Sequence, residues 1–368
     1  MGLENLDRGG NLLADDQLKG QLLKSAVLNN LGRYSEGLKV AEWVLQESQR
    51  TGKKITMVDA VISYLEPSVH FELHEESLEL IEKAETALTS LLNEKDPEIM
   101  QRKAALDVHK GRVYSSKGDY NQALEYLQQS LTLWKELNSK RDIAWVLHNL
   151  GYTYGAKGDQ NWALNYLKQS LALREELDIK HEVANTLHVI GWIYWDNADW
   201  EQAMEYYERS LTLGEELEST HVLAHSFNAI AWIYRRRGDL DRALTNLEQS
   251  LALQEEFGSK QEIAHSLLNI SHIYREKGDL NQALDYLQQS LKLFEEIGDE
   301  QGIYWYFTNI STIYRLRGDL DRALDYLQQN LTYFKEKNDK YGIAWCLVEI
   351  GNIYRLKGDL DQALEFLQ

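Results

Sequence analysis

Residues 309–320 read NISTIYRLRGDL, residues 269–280 read NISHIYREKGDL, and residues 229–240 read AIAWIYRRRGDL. The spacing is 40 in both steps, and it extends well beyond these three phrases. Gly-Asp recurs at 118–119, 158–159, 238–239, 278–279, 318–319 and 358–359, with Ala198-Asp199 as a variant. A tyrosine precedes each glycine position by four residues, from Tyr114 to Tyr354, and an alanine recurs from Ala123 to Ala363. A fixed period of this length is the mark of a repeat architecture, in which one small supersecondary unit is stacked many times.

Each unit reads as two helices. In IAWVLHNLGYTYGAKGDQ, Ile143, Leu147, Leu150 and Tyr154 recur at three- and four-residue spacing and so share one helical face, the expected core face. Gly158 supplies the left-handed residue that ends a helix, and Asp159 is a good N-cap for the next. In the variant unit, Asn197 is the residue expected to adopt the left-handed conformation, because its amide tolerates it better than the methyl of Ala198. The second helix keeps small Ala163 where two backbones must approach closely, and Leu164, Leu167 and Leu171 fill the same seam. Both prolines, Pro67 and Pro97, precede the regular array.

The pattern is fainter before residue 98. GRYSEGLKVAEWVLQES (32–48) aligns with GDYNQALEYLQQSLTLW (118–134), which puts Gly37, then Ser77, in the small-residue position. A six-residue insertion around NEKDPEIM restores the register. The expected organisation is a lead-in over 1–14, two degenerate units over 15–98 and the regular array over 99–368, about nine units in all. The last unit stops inside its second helix, and arrays usually close on a helix with a polar outer face. This ending reads as a fragment or one piece of a longer protein.

Composition removes several classes. The 368 residues are 43% hydrophobic, with no apolar run near the ~20 residues of a membrane span. MGLENLDRGG lacks a basic segment followed by an apolar one, and Leu6 stands where a myristoylation signal wants Ser or Thr. A single cysteine, Cys346, fits a reducing compartment, so a cytoplasmic location is expected. The formal charge of −19 argues against a nucleic-acid partner.

Leu147-x-x-Leu150-Gly151-x-x-Tyr154, then Gly158 and Ala163-x-x-x-Leu167, resembles the tetratricopeptide repeat signature. Two features depart from it: the period is 40 rather than 34, and the proline that commonly closes a unit is missing, which implies a longer second helix. Forty-residue units with Asn-Leu-Gly are similar to those of kinesin light chains, spindle-orientation adaptors and bacterial peptide-pheromone sensors. The resemblance implies an all-α fold, an α-α superhelix (solenoid) that is right-handed and makes about one turn. First helices would line a concave groove. Such proteins are generally not enzymes.

The helical angle separates groove columns from core columns. At 100° per residue, positions 145, 148, 149, 152 and 155 lie opposite the core face. The 149 column contains Asn149, Asn269 and Asn309, and the resemblance implies that these amides hold the backbone of an extended peptide. A plain solvent-facing role would leave them bonding a neighbour or water. The 155 column carries Arg235, Arg275, Arg315 and Arg355, a positive stripe suited to carboxylates in an acidic molecule. The same arginines would favour the helix dipole and pair with nearby acids without any ligand. Tyr152, Trp192, Trp195 and Trp232 make an aromatic zone, either as anchors for apolar side chains or as rings buried against the next repeat.

Other chemistry lacks a constellation. There is no glycine-rich phosphate loop, no cysteine pair for zinc and no H-E-x-x-H. His70 and His74, and likewise His221 and His225, stand four apart, but neither pair has a third ligand evident in sequence, so no metal and no cofactor are expected. His148, Tyr152, Trp192 and Asn228 do not reproduce the clamp by which chaperone adaptors of this repeat class hold chaperone tails. The expected function is a non-enzymatic scaffold binding an extended, acidic peptide or partner segment. The alternative is the sensing arm of a larger regulator whose effector domain lies outside this chain. Self-association through the unfinished last unit is a further expectation.

Overall fold

The computed structural model describes residues 14–30, 34–68, 73–91, 96–257 and 260–367. Among them the chain forms eighteen helices and no strand. They are α1 (Ala14–Asn30), α2 (Tyr34–Thr51), α3 (Lys54–Ser68), α4 (His74–Thr89), α5 (Pro97–Ser116), α6 (Tyr120–Glu136), α7 (Lys140–Lys157), α8 (Gln160–Glu176) and α9 (Lys180–Asp196). Then come α10 (Trp200–Glu216), α11 (Thr220–Arg236), α12 (Leu240–Phe257), α13 (Lys260–Lys277), α14 (Leu280–Ile297), α15 (Glu300–Leu316), α16 (Leu320–Glu336), α17 (Lys340–Lys357) and α18 (Leu360–Leu367). No described helix is long and apolar enough to cross a membrane. Two compact units divide between Asn197 and Ala198. Within each unit, helices pack on their chain neighbours as a helical solenoid. His70 lies outside the described residues.

The missing proline does not lengthen the second helix alone. Helix α7 has 18 residues and α8 has 17, so the extra length of the repeat is shared. Turns between them follow the expected chemistry. Gly118, Gly158, Gly238, Gly278, Gly318 and Gly358 all have φ between 79° and 92°. The aspartate that follows caps the next helix: Asp119, Asp279 and Asp319 accept from the backbone N–H three residues on, at 3.1–3.3 Å. Asp159 occupies the cap position without that bond and lies 3.7 Å from Lys157 Nζ.

The variant turn corrects the sequence reading. Asn197 has φ −79°, and Ala198 is the residue at φ +58°. The 40-residue register decides the matter, because Asp199 must stay in place to cap Gln202 N–H at 3.2 Å. A methyl in this conformation costs about 1–2 kcal/mol. Ala198→Gly should therefore raise the urea midpoint, by a net of about 1 kcal/mol after the entropy of glycine is subtracted. Gly238→Ala should shift it the other way; equal midpoints for all three proteins would refute the account.

The core seam is wider than one stripe. Leu147 and Leu150 are buried as expected, but Ile143 and Tyr154 are only partly so, while Ala144, Val146, Gly151 and Thr153 are buried. A first helix meets both its own second helix and the repeats beside it, so more than one face is covered. Gly151 marks the closest approach: a Cβ there would sit 2.5 Å from Leu167 Cγ and 2.9 Å from the Ala163 carbonyl oxygen. A recurring serine adds a polar tie the hydrophobic pattern does not reveal. Ser130, Ser170, Ser250 and Ser290 donate to the carbonyls of Ala104, Ala144, Ala224 and Ala264 at 2.7–2.8 Å.

Candidate functional site

The candidate residues all stand on first helices of repeats, so their neighbours one repeat away are about forty residues distant in sequence. In the second unit this brings together Trp232 and Arg235 of α11, Asn269, His272, Arg275 and Glu276 of α13, and Asn309 and Arg315 of α15. The Arg235 guanidinium lies over the Trp232 ring at 4.6 Å. It also donates to Glu276 Oε1 through Nε at 2.9 Å and Nη2 at 2.5 Å. Arg235 thus makes both a cation–π contact and an ion pair, and much of its charge is answered within the chain.

Arg275 is placed differently. Its Nη1 donates to Asn309 Oδ1 at 2.9 Å, a bond to a neutral amide rather than to a carboxylate. Burial lowers its pKa from the usual guanidinium range, and Arg235 lowers it further while Glu276 opposes. Arg315 also acts in the lowering direction on Arg275, so the arginines of successive repeats feel one another. The His272 ring, edge-on to Trp232 at 6.4 Å, has its pKa pushed down to about 4 by burial and then by Arg275 and Arg235. Among the described residues no ion pair involves Arg315 or Arg355, and Arg355 is exposed.

The three asparagines are not disposed as an open ladder. Asn149 Nδ2 donates to the Trp145 carbonyl at 2.8 Å, and Asn309 Nδ2 to the Trp305 carbonyl at 2.7 Å, each one turn back in its own helix. Asn309 is only 5% exposed, and both its amide atoms are engaged. Asn269 Nδ2 reaches Asn228 Oδ1 at 3.3 Å, across repeats. Their geometry suits holding neighbours in place, and Asn309 in particular orients Arg275.

In the first unit, Tyr152 is 47% exposed and its ring lies 5.6 Å from Trp192. Trp192 and Trp195 are partly buried on α9. In this unit Gly155 stands in the column that carries arginine later. A Cβ at that position would stand 2.2 Å from Ile193 Cδ1 and 3.2 Å from Trp192 Cζ3, so a side chain there would have to displace the end of the Ile193 side chain. A crevice in the second unit, lined by Ala231, Trp232, Arg235 and Asn269, has a volume of only about 10 Å³. That is far below the ~300 Å³ at which small-molecule sites begin.

Several partners escape a column-by-column reading of the sequence. Arg174 sits at a second-helix end yet is only 3% exposed. It donates to Thr186 Oγ1 at 2.6 Å and the Glu182 carbonyl at 3.0 Å, and pairs with the Glu182 carboxylate at 3.1 Å. His148, 3.3 Å from Arg174, is held well below the usual imidazole range by burial and that charge. Cys346 is fully buried, and burial pushes its thiol up to about 12, as suits a core residue. His74 meets Ser116 Oγ at 2.9 Å.

Comparison with known proteins gives a consistent result. The tetratricopeptide repeat family matches residues 102–176, 222–296 and 301–368, and a second tetratricopeptide repeat pattern matches 186–219. No curated protein sequence matches the chain. Similar solved structures include the apo form of the quorum sensor NprR from B. thuringiensis, 15% identical with a TM-score of 0.65, covering 96% of this chain and 97% of that one. Apo RapI is 12% identical with a TM-score of 0.61, over 95% of both chains. A Rap protein complexed with Competence and Sporulation Factor is 14% identical with a TM-score of 0.60, over 94% of this chain and 99% of that one. At these identities the likeness is one of fold.

Proposed function

Because the chain belongs to the tetratricopeptide repeat family, we propose that its first-helix face is a recognition surface for an extended, acidic peptide or protein segment, in a binding rather than a catalytic role. The observation that supports the reading best is the pair Arg275 and Arg315 on successive first helices, neither in a direct ion pair among the described residues, in a molecule whose formal charge is −19. Cations without a direct carboxylate partner amid such an excess of acids are poorly explained by stability alone. Fold neighbours lend support: NprR has been solved with its cognate peptide NprX, and a Rap protein with Competence and Sporulation Factor.

Roles follow from the geometry. Arg275 and Arg315 meet carboxylates, with Asn309 fixing the Arg275 fork for bidentate contact. Trp232, stiffened by Arg235, offers a ring face in the second unit, and Tyr152 with Trp192 and Trp195 does so in the first. Arg355, exposed on α17, extends the stripe. Asn149 and Asn269 serve by bracing the surface, and a peptide backbone would reach their amides only after displacing their present partners. The protein acts in the cytoplasm in this proposal, as its single thiol suggests.

The test is selection from a random displayed peptide library on the immobilised full chain. Enriched peptides should carry Asp or Glu. Arg275→Gln with Arg315→Gln should weaken them about a hundredfold, the loss of two charge-assisted hydrogen bonds, with unchanged circular dichroism. If the double variant holds the selected peptides as tightly as the parent, the cation pair is not the recognition element. A sensing arm of a larger regulator would use the same surface. The fold shared with a quorum sensor over 96% of the chain favours keeping that reading, and the gene sequence after Gln368 distinguishes the two.

A further inference from the structure

His221 and His225 lie one turn apart on α11, and in sequence they lack a third donor. The fold supplies it from α13. Glu262 Oε1 is 3.3 Å from His225 Nε2 and 3.9 Å from His221 Nε2, and the two imidazole centroids are 4.4 Å apart. One donor atom from each of the three residues lies within 4.8 Å of the other two. Zinc bound to nitrogen and oxygen at 2.0–2.2 Å sets tetrahedral donor–donor edges of about 3.3–3.5 Å, so a cation at the centre needs only a small inward movement. The side chains are 63%, 44% and 30% exposed, which leaves room for that adjustment and an approach from solvent.

We propose that His221, His225 and Glu262 bind a divalent transition metal of the zinc type, bridging the first helices of two successive repeats and leaving a coordination position open. The donor set decides the class. Two imidazoles and one carboxylate suit Zn²⁺, Co²⁺, Ni²⁺ or Cu²⁺, whereas Ca²⁺ and Mg²⁺ demand oxygen. Both imidazole nitrogens converge on the same carboxylate oxygen, which is more donor capacity than an ordinary ion pair needs. His225 belongs to the same helical column as Trp305 and Trp345, so the open position looks onto the first-helix face. A donor from a bound partner, or water, would fill it.

The experiment is titration of the chelator-treated full chain with Zn²⁺ against a competing indicator, together with Co²⁺ absorption spectra. The parent should take one equivalent of Zn²⁺ and show the visible bands of tetrahedral Co²⁺. Losing even an outer-sphere partner of a metal ligand costs about 10–100-fold, so His225→Ala and Glu262→Gln should each weaken Zn²⁺ by no less than about tenfold and abolish the Co²⁺ bands. Thermal unfolding of both variants without metal checks that they remain folded, and added Zn²⁺ should raise the melting temperature of the parent only. Absence of uptake by the parent, or equal uptake by the variants, overturns the proposal. Neither outcome bears on peptide recognition by Arg275 and Arg315.

Discussion

Replacing Arg174 by alanine should destabilise the first unit by about 3 kcal/mol, seen as an earlier urea transition for that unit. Two neighbouring helices converge on this one guanidinium: α7 through His148 at 3.3 Å, and α9 through Glu182 and Thr186. Burial and the removal of hydrogen bonds both enter. Breaking a buried ion pair by deleting one partner costs ~3–5 kcal/mol when the remaining charge is stranded. Here Glu182 is a quarter exposed and also accepts from Arg141 at 3.3 Å, so the lower end applies. Much of the loss would instead be packing, since the buried aliphatic stem goes with the charge. Arg174→Met keeps that stem and should cost about half as much. A loss under ~1 kcal/mol for Arg174→Ala would mean that the contacts around this side chain are energetically idle.

The same residue shows what the sequence could and could not reveal. The period, the turn glycines and the small Ala163 are products of local rules: left-handed backbone wants glycine, and close helices want small side chains. Such rules act within a few residues and leave a visible mark in every repeat. Pairings across repeats leave no such mark. Arg235 meets Glu276 at a separation of 41, Arg275 meets Asn309 at 34, and His225 meets Glu262 at 37. Each pair joins two columns that look unremarkable when read singly down the repeats. Comparing columns one repeat apart would have suggested Glu262 as the missing third donor for His221 and His225. The fate of the asparagine amides was beyond that method too, because whether Nδ2 turns inward to the Trp305 carbonyl depends on rotamer and burial. Ala198 shows the converse, a position where residue preference points to Asn197 and the register prevails.

Asp107→Asn should stabilise the protein at pH 8 and leave it nearly unchanged at pH 4. Asp107 is 4% exposed, and among the described residues its Oδ2 has no hydrogen-bond partner. Burial raises its pKa to about 7, with Glu85 adding to the rise and Lys103 and Lys110 opposing it. An unfolded aspartate titrates near ~3.9, so the folded state binds the proton more tightly. Its contribution is therefore fully present below pH ~4, is lost as pH rises to about 7, and stays lost above. At ~1.36 kcal/mol per pK unit the ceiling is ~4 kcal/mol, and about 2–3 is expected once the amide's own need for partners is counted. His109, buried two residues away and pushed down to about 4, has the opposite slope: it is held neutral, and its cost appears as pH falls below ~6.5. The raw stability profile mixes the two, but the difference between parent and Asp107→Asn cancels His109. Urea unfolding of both proteins at pH 4 and pH 8 gives that difference directly. A gap that is the same at both values would mean that Asp107 is solvated as an ordinary carboxylate, and its burial would then carry no proton linkage.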